Sequence, residues 1–373
     1  MKICFISKYP PIEGGISAKT YWIAHGLAEI GTEVHIITNS NCVEKEYLID
    51  DNSSEVKTNL FIHYIDPEIP WHIPYSKLYI SSLLDKTLEV IDKYKIDLID
   101  TNYLIPYGIV GYLASKISGI PYIVRHGGSD LAKFLKQGIF SSLLENVIRD
   151  ARAVITDSNN ENLFKNTNGV IYKLPRYIPD ERHFKPAYAV RKVPTFAYIG
   201  KINYYWKQKS LDKIVTLFSG IKQEHKLQFV GQGNGFNDFS DFVNQSGLGF
   251  YEFKRFIHPE KMPDLLNSID FLIYFCQDSP IKDFSNVICE ALWSGVTIIT
   301  DKTMDFNEYL DYVELNPKNQ IIRIDLNNAI AARKNICSLI ENWNGPVRFQ
   351  NTINYRFDKY IRDNLILFNE CIS

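Results

Sequence analysis

The sequence lacks a long hydrophobic run: nowhere does it reach the roughly 18 consecutive apolar residues that a transmembrane helix needs. It also lacks an excess of either charge, because 41 lysines and arginines are balanced by 43 aspartates and glutamates for a formal net charge of −2. A chain of this kind has no overall field to attract nucleic acid, so we expect no nucleic-acid partner.

Cysteine patterns and several well-known motifs are missing as well. The six cysteines are scattered, without a C-x-x-C pair or a histidine at zinc-ligand spacing, which predicts buried free thiols, a cytoplasmic location and no metal site. The sequence contains no P-loop, G-x-G-x-x-G, G-x-S-x-G, H-E-x-x-H or protein-kinase signature. These absences argue against a nicotinamide-dependent enzyme and against an ATPase. The first seven residues indicate a strand rather than a signal peptide.

What the chain does contain is a repeated alternation of strand-like and helix-like segments. Its 373 residues exceed what one hydrophobic core usually serves, so we expect two domains. The predicted strands are 2–7, 34–38, 96–99, 122–125, 153–156, 196–199, 227–230, 271–275 and 296–300, and the predicted helices are 16–30, 83–94, 109–117, 210–221, 287–293 and 355–368. This alternation predicts an α/β fold of two Rossmann-like parallel-sheet domains, with the boundary in the proline-bearing stretch 185–194.

Ligands of open parallel sheets bind beyond the carboxyl ends of the strands. We therefore expect two sheets that face each other across a cleft, with a small phosphate-bearing ligand between them. Gly14 and Gly15 follow the first strand and precede a helix, where glycines let backbone N–H groups approach an anion. A simple turn explains this pair equally well.

Four side chains stand out by their position after strands. His126 lies beside two glycines; a single histidine is more often structural, but this place favours a function. Lys201 and Lys209 follow a strand and together suit the clamping of a diphosphate, although each alone is an ordinary surface lysine. Glu290, near a helix start, either accepts bonds from a sugar diol or complements the helix dipole, and both interpretations stay open.

Taken in order, six segments resemble family 4 of the retaining, GT-B-fold glycosyltransferases, also described as glycosyl transferases group 1. They are residues 2–40, residues 97–121 followed by 126–131, and residues 153–158, 196–214, 228–233 and 270–301. The resemblance covers nearly the whole chain and is weakest across residues 41–95 and 302–350. It implies a GT-B fold with an acceptor-side domain (1–185), a nucleotide-sugar donor domain (186–354) and a C-terminal helix (355–373) that crosses back to the first domain.

The same resemblance implies an activity and assigns residues to it. A sugar would pass from a UDP- or GDP-sugar to a glycan or lipid-linked acceptor in surface polysaccharide synthesis, with retention and without a metal or dissociable cofactor. Lys201 and Lys209 match the basic pair on the donor diphosphate, Glu290 matches the second glutamate of an E-x7-E motif that holds the ribose, and His126 matches the histidine beside the reacting sugar carbon. The implied donor-binding residues are Gly14, Gly15, Arg255, Phe256, Lys282, Asp283, Phe284, Ser285, Asn286 and Val287.

Three departures from the family pattern leave the activity open. Lys282 replaces the first glutamate of the motif, with Asp283 beside it. Pro175-Arg176-Tyr177 replaces a P-N-G turn, and Tyr204, Tyr205 and Trp206 are bulky residues in the loop between the two lysines. A non-catalytic sugar-nucleotide-binding partner of another transferase and a sugar-nucleotide epimerase therefore remain alternative functions.

The aromatic and apolar segments 71–84 and 133–149 have two interpretations. They fit a peripheral contact with the inner face of a membrane, as a transferase of lipid-linked glycans would need. They fit packing inside the acceptor-side domain equally well.

Overall fold

The computed structural model describes residues 1–49, 57–65, 69–71, 77–135, 138, 141–157, 160–279, 284–316 and 320–373. The chain divides into two compact units, Met1–Ile178 together with Phe357–Ser373, and Pro179–Arg356. This division falls a few residues before the boundary placed at residues 185 and 186. The prediction of an α/β fold with two parallel sheets is confirmed.

The first unit contains a seven-stranded parallel sheet in the order β3-β2-β1-β4-β5-β6-β7. Its strands are β1 (Lys2–Ile6), β2 (Glu33–Thr38), β3 (Leu60–Tyr64), β4 (Leu98–Asn102), β5 (Tyr122–Arg125), β6 (Ala153–Thr156) and β7 (Val170–Lys173). Its helices before residue 178 are α1 (Gly15–Glu29), α2 (Lys77–Tyr94), α3 (Ile109–Ser118), α4 (Gly128–Asp130) and α5 (Ser141–Arg149). The central strands β4, β5 and β6 are buried at every residue, as strands covered on both faces are.

The second unit repeats this plan with a six-stranded parallel sheet in the order β10-β9-β8-β11-β12-β14. Its strands are β8 (Thr195–Ile199), β9 (Lys226–Val230), β10 (Tyr251–Lys254), β11 (Phe271–Tyr274), β12 (Thr297–Asp301), β13 (Val313–Glu314), β14 (Ile321–Ile324) and β15 (Thr352–Ile353). Its helices are α6 (Leu211–Phe218), α7 (Phe236–Gln245), α8 (Met262–Asn267), α9 (Asn286–Trp293), α10 (Asn307–Leu310) and α11 (Ala329–Glu341). Strands β13 and β15 form a short antiparallel ribbon.

The last helix, α12 (Phe357–Ile372), completes the core of the first unit. Its Phe368 ring lies edge-on to Phe5 of β1, with ring centroids 6.4 Å apart. Gly26 of α1 leaves room for Ile361, since a Cβ atom at Gly26 would lie 2.7 Å from the Ile361 Cδ1 atom. Helix α1 is buried along almost its whole length as a result. None of the helices in the described ranges is long and apolar enough to cross a membrane.

Asn364 of α12 makes a buried polar contact that ties this helix to the end of β5. Its side-chain oxygen accepts a hydrogen bond of 2.6 Å from the Arg125 guanidinium, and both residues are buried.

We predict that Asn364→Ala lowers the free energy of unfolding by about 1.5–3 kcal/mol, because a buried charged donor loses its acceptor. Urea unfolding measures this. Asn369→Ala, on the exposed side of the same helix, is the control and should change stability by less than about 0.5 kcal/mol. Equal effects of the two changes would contradict the prediction.

Candidate functional site

In the second unit, the predicted donor-side residues that the structure describes follow strands of one parallel sheet. Lys201 comes after β8, Arg255 and Phe256 come after β10, and residues 284–287 lead from β11 into α9. Because the strands of this sheet are parallel, these residues lie at its carboxyl edge, where open α/β sheets bind ligands. Lys282 and Asp283 lie outside the described residues.

The two predicted lysines belong to one short loop. Lys209 donates a hydrogen bond of 2.7 Å from Nζ to the Lys201 carbonyl oxygen, which also accepts a bond of 3.1 Å from the Tyr198 hydroxyl. Both lysines are half-buried. The loop therefore closes on itself and holds two ammonium-bearing side chains at the end of β8.

Of the three aromatic residues in this loop, only two point towards solvent. Trp206 is 2% exposed, and its indole N–H donates to the Asp238 carboxylate at 2.7 Å. Its ring also lies close to Phe239 of α7. Tyr204 and Tyr205 are 70% and 56% exposed. Trp206 thus anchors the loop. Tyr204 and Tyr205 are the two aromatic residues of this loop whose side chains are exposed.

Glycine at position 231 brings the loops after β8 and β9 together. Gly231 has φ 147°, and a Cβ atom there would lie 2.0 Å from the Gly200 carbonyl oxygen. The same Cβ would lie 3.5 Å from a ring carbon of Phe256. Only glycine allows this close approach, and it places the predicted base-pocket residue Phe256 beside the end of β8. Arg255 is exposed.

The segment that leads into α9 is fixed by Tyr309, a residue that the sequence did not single out. Phe284 stacks on the Tyr309 ring with centroids 4.6 Å apart, and the Ser285 N–H donates to the Tyr309 hydroxyl oxygen at 2.7 Å. Glu290 is 3% exposed and lies in the second turn of α9. Of the other predicted residues here, Asn286 is half-buried and Val287 is buried.

In the first unit, Gly14 is the residue before α1 and Gly15 is its first residue. Gly14 has φ 116°, a conformation that favours glycine. The preceding loop is held from inside, because the buried Lys8 donates from Nζ to the Glu13 carbonyl oxygen at 3.0 Å and lies 4.0 Å from the Glu13 carboxylate. The helix start that was predicted to face an anion is therefore fixed in place.

His126 follows β5 and is only 6% exposed. Its Nε2 atom lies 2.8 Å from the Thr156 hydroxyl, its ring stacks on Phe164 at 5.3 Å, and its Nδ1 atom has no hydrogen-bond partner in the described part of the chain. Burial lowers the pKa of His126 to about 3, and the positive charges of Arg176 and Lys19 act in the same direction. The imidazole is thus neutral near pH 7 and suits hydrogen bonding rather than ion pairing.

The turns after β4 and β5 are joined by the Asp130 carboxylate, which sequence reasoning did not assign to the site. It accepts bonds from the N–H groups of Gly127 at 2.8 Å and Leu131 at 3.0 Å through one oxygen, and from Leu104 at 2.8 Å through the other. Burial raises the pKa of Asp130 to about 7, whereas these N–H groups act in the opposite direction. Its place close behind Gly127 and Gly128, the two glycines beside His126, was the one indication of this role that the sequence offered.

Two ion pairs at this edge were also missed. Arg125 donates from Nε to both Asp100 oxygens at 2.9 Å, and both side chains are almost fully buried. Arg176, which stands in the altered P-N-G turn, lies 2.7 Å from the Asp157 carboxylate. Neither pair is visible in the sequence, since the partners are far apart along the chain.

The comparisons with known proteins begin with the first unit. Residues 2–158 match the model of a family described as glycosyl transferase 4-like. An uncharacterized glycosyltransferase of Methanocaldococcus jannaschii is 24% identical over 353 residues, which cover 92% of this chain and 89% of that protein. The N-acetyl-alpha-D-glucosaminyl L-malate synthase of Bacillus anthracis is 22% identical over 323 residues, 82% of this chain and 80% of that protein. The predicted resemblance to glycosyltransferase family 4 is thereby confirmed.

Solved structures agree in fold. Sucrose-phosphate synthase from Thermosynechococcus elongatus gives a TM-score of 0.67 with 16% identity, covering 98% of this chain and 94% of that chain. HepE of Anabaena in complex with UDP-glucose gives a TM-score of 0.62 with 15% identity, covering 100% of this chain and 98% of that chain. At these identities the likeness concerns the fold alone, and it confirms the predicted GT-B fold.

The lowered pKa of His126 leads to a prediction about acid stability. Below pH 6.5 the unfolded chain takes up a proton on this imidazole, whereas the folded chain does so only near pH 3, so this group removes stability as the pH falls through that range. Between neutral pH and about pH 5 the loss amounts to about 2 kcal/mol. Urea unfolding at these two pH values measures the drop in the free energy of unfolding. We expect this drop to be about 2 kcal/mol smaller for His126→Gln than for the original chain. The same acid dependence in both proteins would contradict this, as would a ring ¹⁵N shift that titrates near pH 6.5.

Proposed function

We propose that this chain, a glycosyltransferase of the family 4 type with the GT-B fold, moves a sugar with retention from a UDP- or GDP-sugar to a glycan or lipid-linked acceptor. The observation that carries the proposal is the carboxyl edge of the second sheet. There Lys201 and Lys209 share one loop, and the buried Glu290 stands in the helix that follows the neighbouring strand.

The donor diphosphate is proposed to lie against the two lysines and the N-terminus of α9. Partial positive charge at a helix start and full charges on the lysines both favour phosphate oxygens. Glu290 then holds the ribose hydroxyls, and Phe256 lines the pocket for the base. The structure of HepE with UDP-glucose, which this chain matches in fold, supports a UDP-sugar before a GDP-sugar.

The proposed reaction needs no nucleophile from the protein. The bond between the sugar carbon and the diphosphate oxygen breaks, the acceptor oxygen bonds to the same carbon on the same face, and the acceptor proton passes to the departing diphosphate. Lys201 and Lys209 offset the charge that develops on the leaving group, in place of a metal ion. His126, which is neutral, acts as a hydrogen-bond partner of the sugar rather than as a cation.

We assign the reaction to the synthesis of a surface glycan, on the cytoplasmic side of the membrane. This assignment rests on the resemblance to family 4. Segments 71–84 and 133–149 lie partly outside the described residues. Of their described residues, Leu83 belongs to the hydrophobic core of the first unit and Trp71 and Phe134 pack against it, so packing explains these segments better than a membrane contact does. Flotation of the purified protein with liposomes tests this.

Nucleotide binding gives the first test. Glu290→Gln and Lys209→Met should each weaken the binding of UDP by about tenfold or more, because a charge-assisted hydrogen bond is lost in each. Calorimetric titration with UDP, and in parallel with GDP, measures the effect. Lys207→Met is the matched control, since Lys207 is exposed and lies over the Trp206 ring in the same loop. If neither nucleotide binds, or if the control weakens binding as much, the donor assignment is wrong.

Turnover separates the proposed reaction from its alternatives. The transferase should release UDP from UDP-sugars, transfer the sugar to an acceptor with its anomeric configuration kept, and remain active in EDTA. An epimerase would convert the sugar nucleotide without any acceptor. A binding partner of another transferase would bind the nucleotide but neither hydrolyse nor transfer. Proton NMR of the sugar products distinguishes these outcomes, and Glu290→Gln should abolish whichever turnover is present.

A further inference from the structure

Among the described residues of the first unit, Lys8 and Lys19 are the buried lysines, and of these two only Lys8 has partners. Lys8 is 1% exposed and is placed against the carbonyl and carboxylate of Glu13. Lys19, in the second turn of α1, is 5% exposed and makes neither a hydrogen bond nor an ion pair with any described residue. A buried ammonium without a partner is costly, and proteins rarely retain one without a use.

The charged groups around Lys19 are engaged elsewhere. Those that act on it are Asp100 of β4, Arg125 of β5, Asp130 of α4 and Arg176, and Lys19 in turn acts on His126. Asp100 is bound by Arg125 at 2.9 Å, and Asp130 is bound by three backbone N–H groups. The carboxylates of Asp100 and Asp130, which act on the Lys19 charge, therefore bind other groups, and no described carboxylate contacts the Lys19 ammonium.

Other polar atoms at this edge lack partners too. Asn102 ends β4, is 1% exposed, and has no partner for either its side-chain nitrogen or its oxygen among the described residues. It pairs in register with Arg125, whose Nη1 atom is also without a partner there, and the next residue is His126 with its open Nδ1 atom. Buried polar groups are normally satisfied. These unsatisfied polar atoms belong to two adjacent strands, and the Lys19 charge acts on two of the residues that carry them, Arg125 and His126. Such a group of atoms is suited to bind the oxygen atoms of a ligand.

We propose that Lys19 binds an anionic group, a carboxylate or a phosphate, on the acceptor substrate. The inference rests on the proposed function, because it treats the first unit as the acceptor side. Asn102 and Nδ1 of His126 then bond to the uncharged oxygens of the same molecule. Lys19 becomes the residue that selects charged acceptors over neutral ones.

The protonation of Lys19 gives this site a measurable signature. Burial, together with the positive charges of Arg125 and Arg176, lowers the pKa of the Lys19 ammonium to about 7, and Asp100 and Asp130 oppose the shift. An anion that contacts the ammonium reverses this, because it favours the charged form. If the charged form binds the anion about tenfold more tightly, the midpoint of titration rises by about one pH unit.

NMR of protein labelled with ¹³C at the lysine ε-carbons tests the proposal, with UDP in excess to fill the donor site. The Lys19 resonance is the one that is missing in Lys19→Met. Malonate serves as the carboxylate probe and inorganic phosphate as the phosphate probe. We expect one of them to raise the midpoint of Lys19 by about one unit or more, and which one does so identifies the charged group. If neither moves it, the proposal is wrong.

A separate arm keeps this result independent of the donor assignment. UDP titrated alone should leave the Lys19 midpoint unchanged. A shift caused by UDP would place Lys19 at the donor diphosphate and overturn the acceptor assignment. Failure of UDP to bind at all would contradict the proposed donor site. The Lys19 proposal would then still be supported or refuted by whether malonate or phosphate raises the Lys19 midpoint.

Thermal unfolding distinguishes a binding role from a structural one. The folded chain binds a proton on Lys19 only below about pH 7, whereas the unfolded chain does so below 10.5, so this group lowers stability at neutral and acid pH and the loss disappears towards pH 10.5. Lys19→Met should therefore unfold at a higher temperature than the original chain at about pH 6, and the gain should shrink as the pH rises. Lys93→Met, an exposed lysine of α2, is the control without such a gain. A variant that is less stable at every pH would show that Lys19 serves the fold, and the proposal would fall.

Discussion

The first unit depends on the burial of one guanidinium. Arg125 is 1% exposed, and its bonds reach Asp100 on the neighbouring strand and Asn364 on the last helix of the chain. Such partners offset the desolvation of the buried guanidinium, which would cost several kcal/mol if the ion were unpaired. Since Arg125 ends β5, its partners also fix the place where the strand stops and His126 begins. The C-terminal helix is thus a condition for the geometry of that edge.

The carboxyl edge of the first sheet combines rigid backbone with unsatisfied side chains. Asp130 joins two turns through backbone N–H groups, and the ion pair of Arg176 with Asp157 borders the same histidine. The backbone is therefore well held, while Lys19, Asn102 and one nitrogen of His126 lack partners in the described structure. Functional sites commonly keep local features that do not stabilise the free protein. The carboxyl edge of the second sheet differs, because its Lys209 ammonium donates a hydrogen bond to the Lys201 carbonyl oxygen of the same loop.

The sequence predicts the fold well where strands are buried on both faces. Strands β5 and β6 have the predicted limits, since their apolar runs have only one interpretation. The outer strands β3, β7, β10 and β14 were not predicted, because residues at the edge of a sheet are half-exposed and mix polar with apolar types. Helix α2 begins at Lys77, before the predicted start at residue 83.

Site residues were predictable only as far as their neighbours in the sequence reveal them. His126 and Lys201 come just after strands and Glu290 lies near a helix start, and position alone makes them candidates. Lys19 gives no such signal, because a lysine in the second turn of an amphipathic helix is normally exposed. Its burial is a property of the folded unit, in which charged groups from distant parts of the sequence (Asp100, Arg125, Asp130 and Arg176) act on it. Lys19 therefore becomes a candidate only when the folded sheet brings these charged groups within reach of α1, because no pattern along the chain reveals that environment.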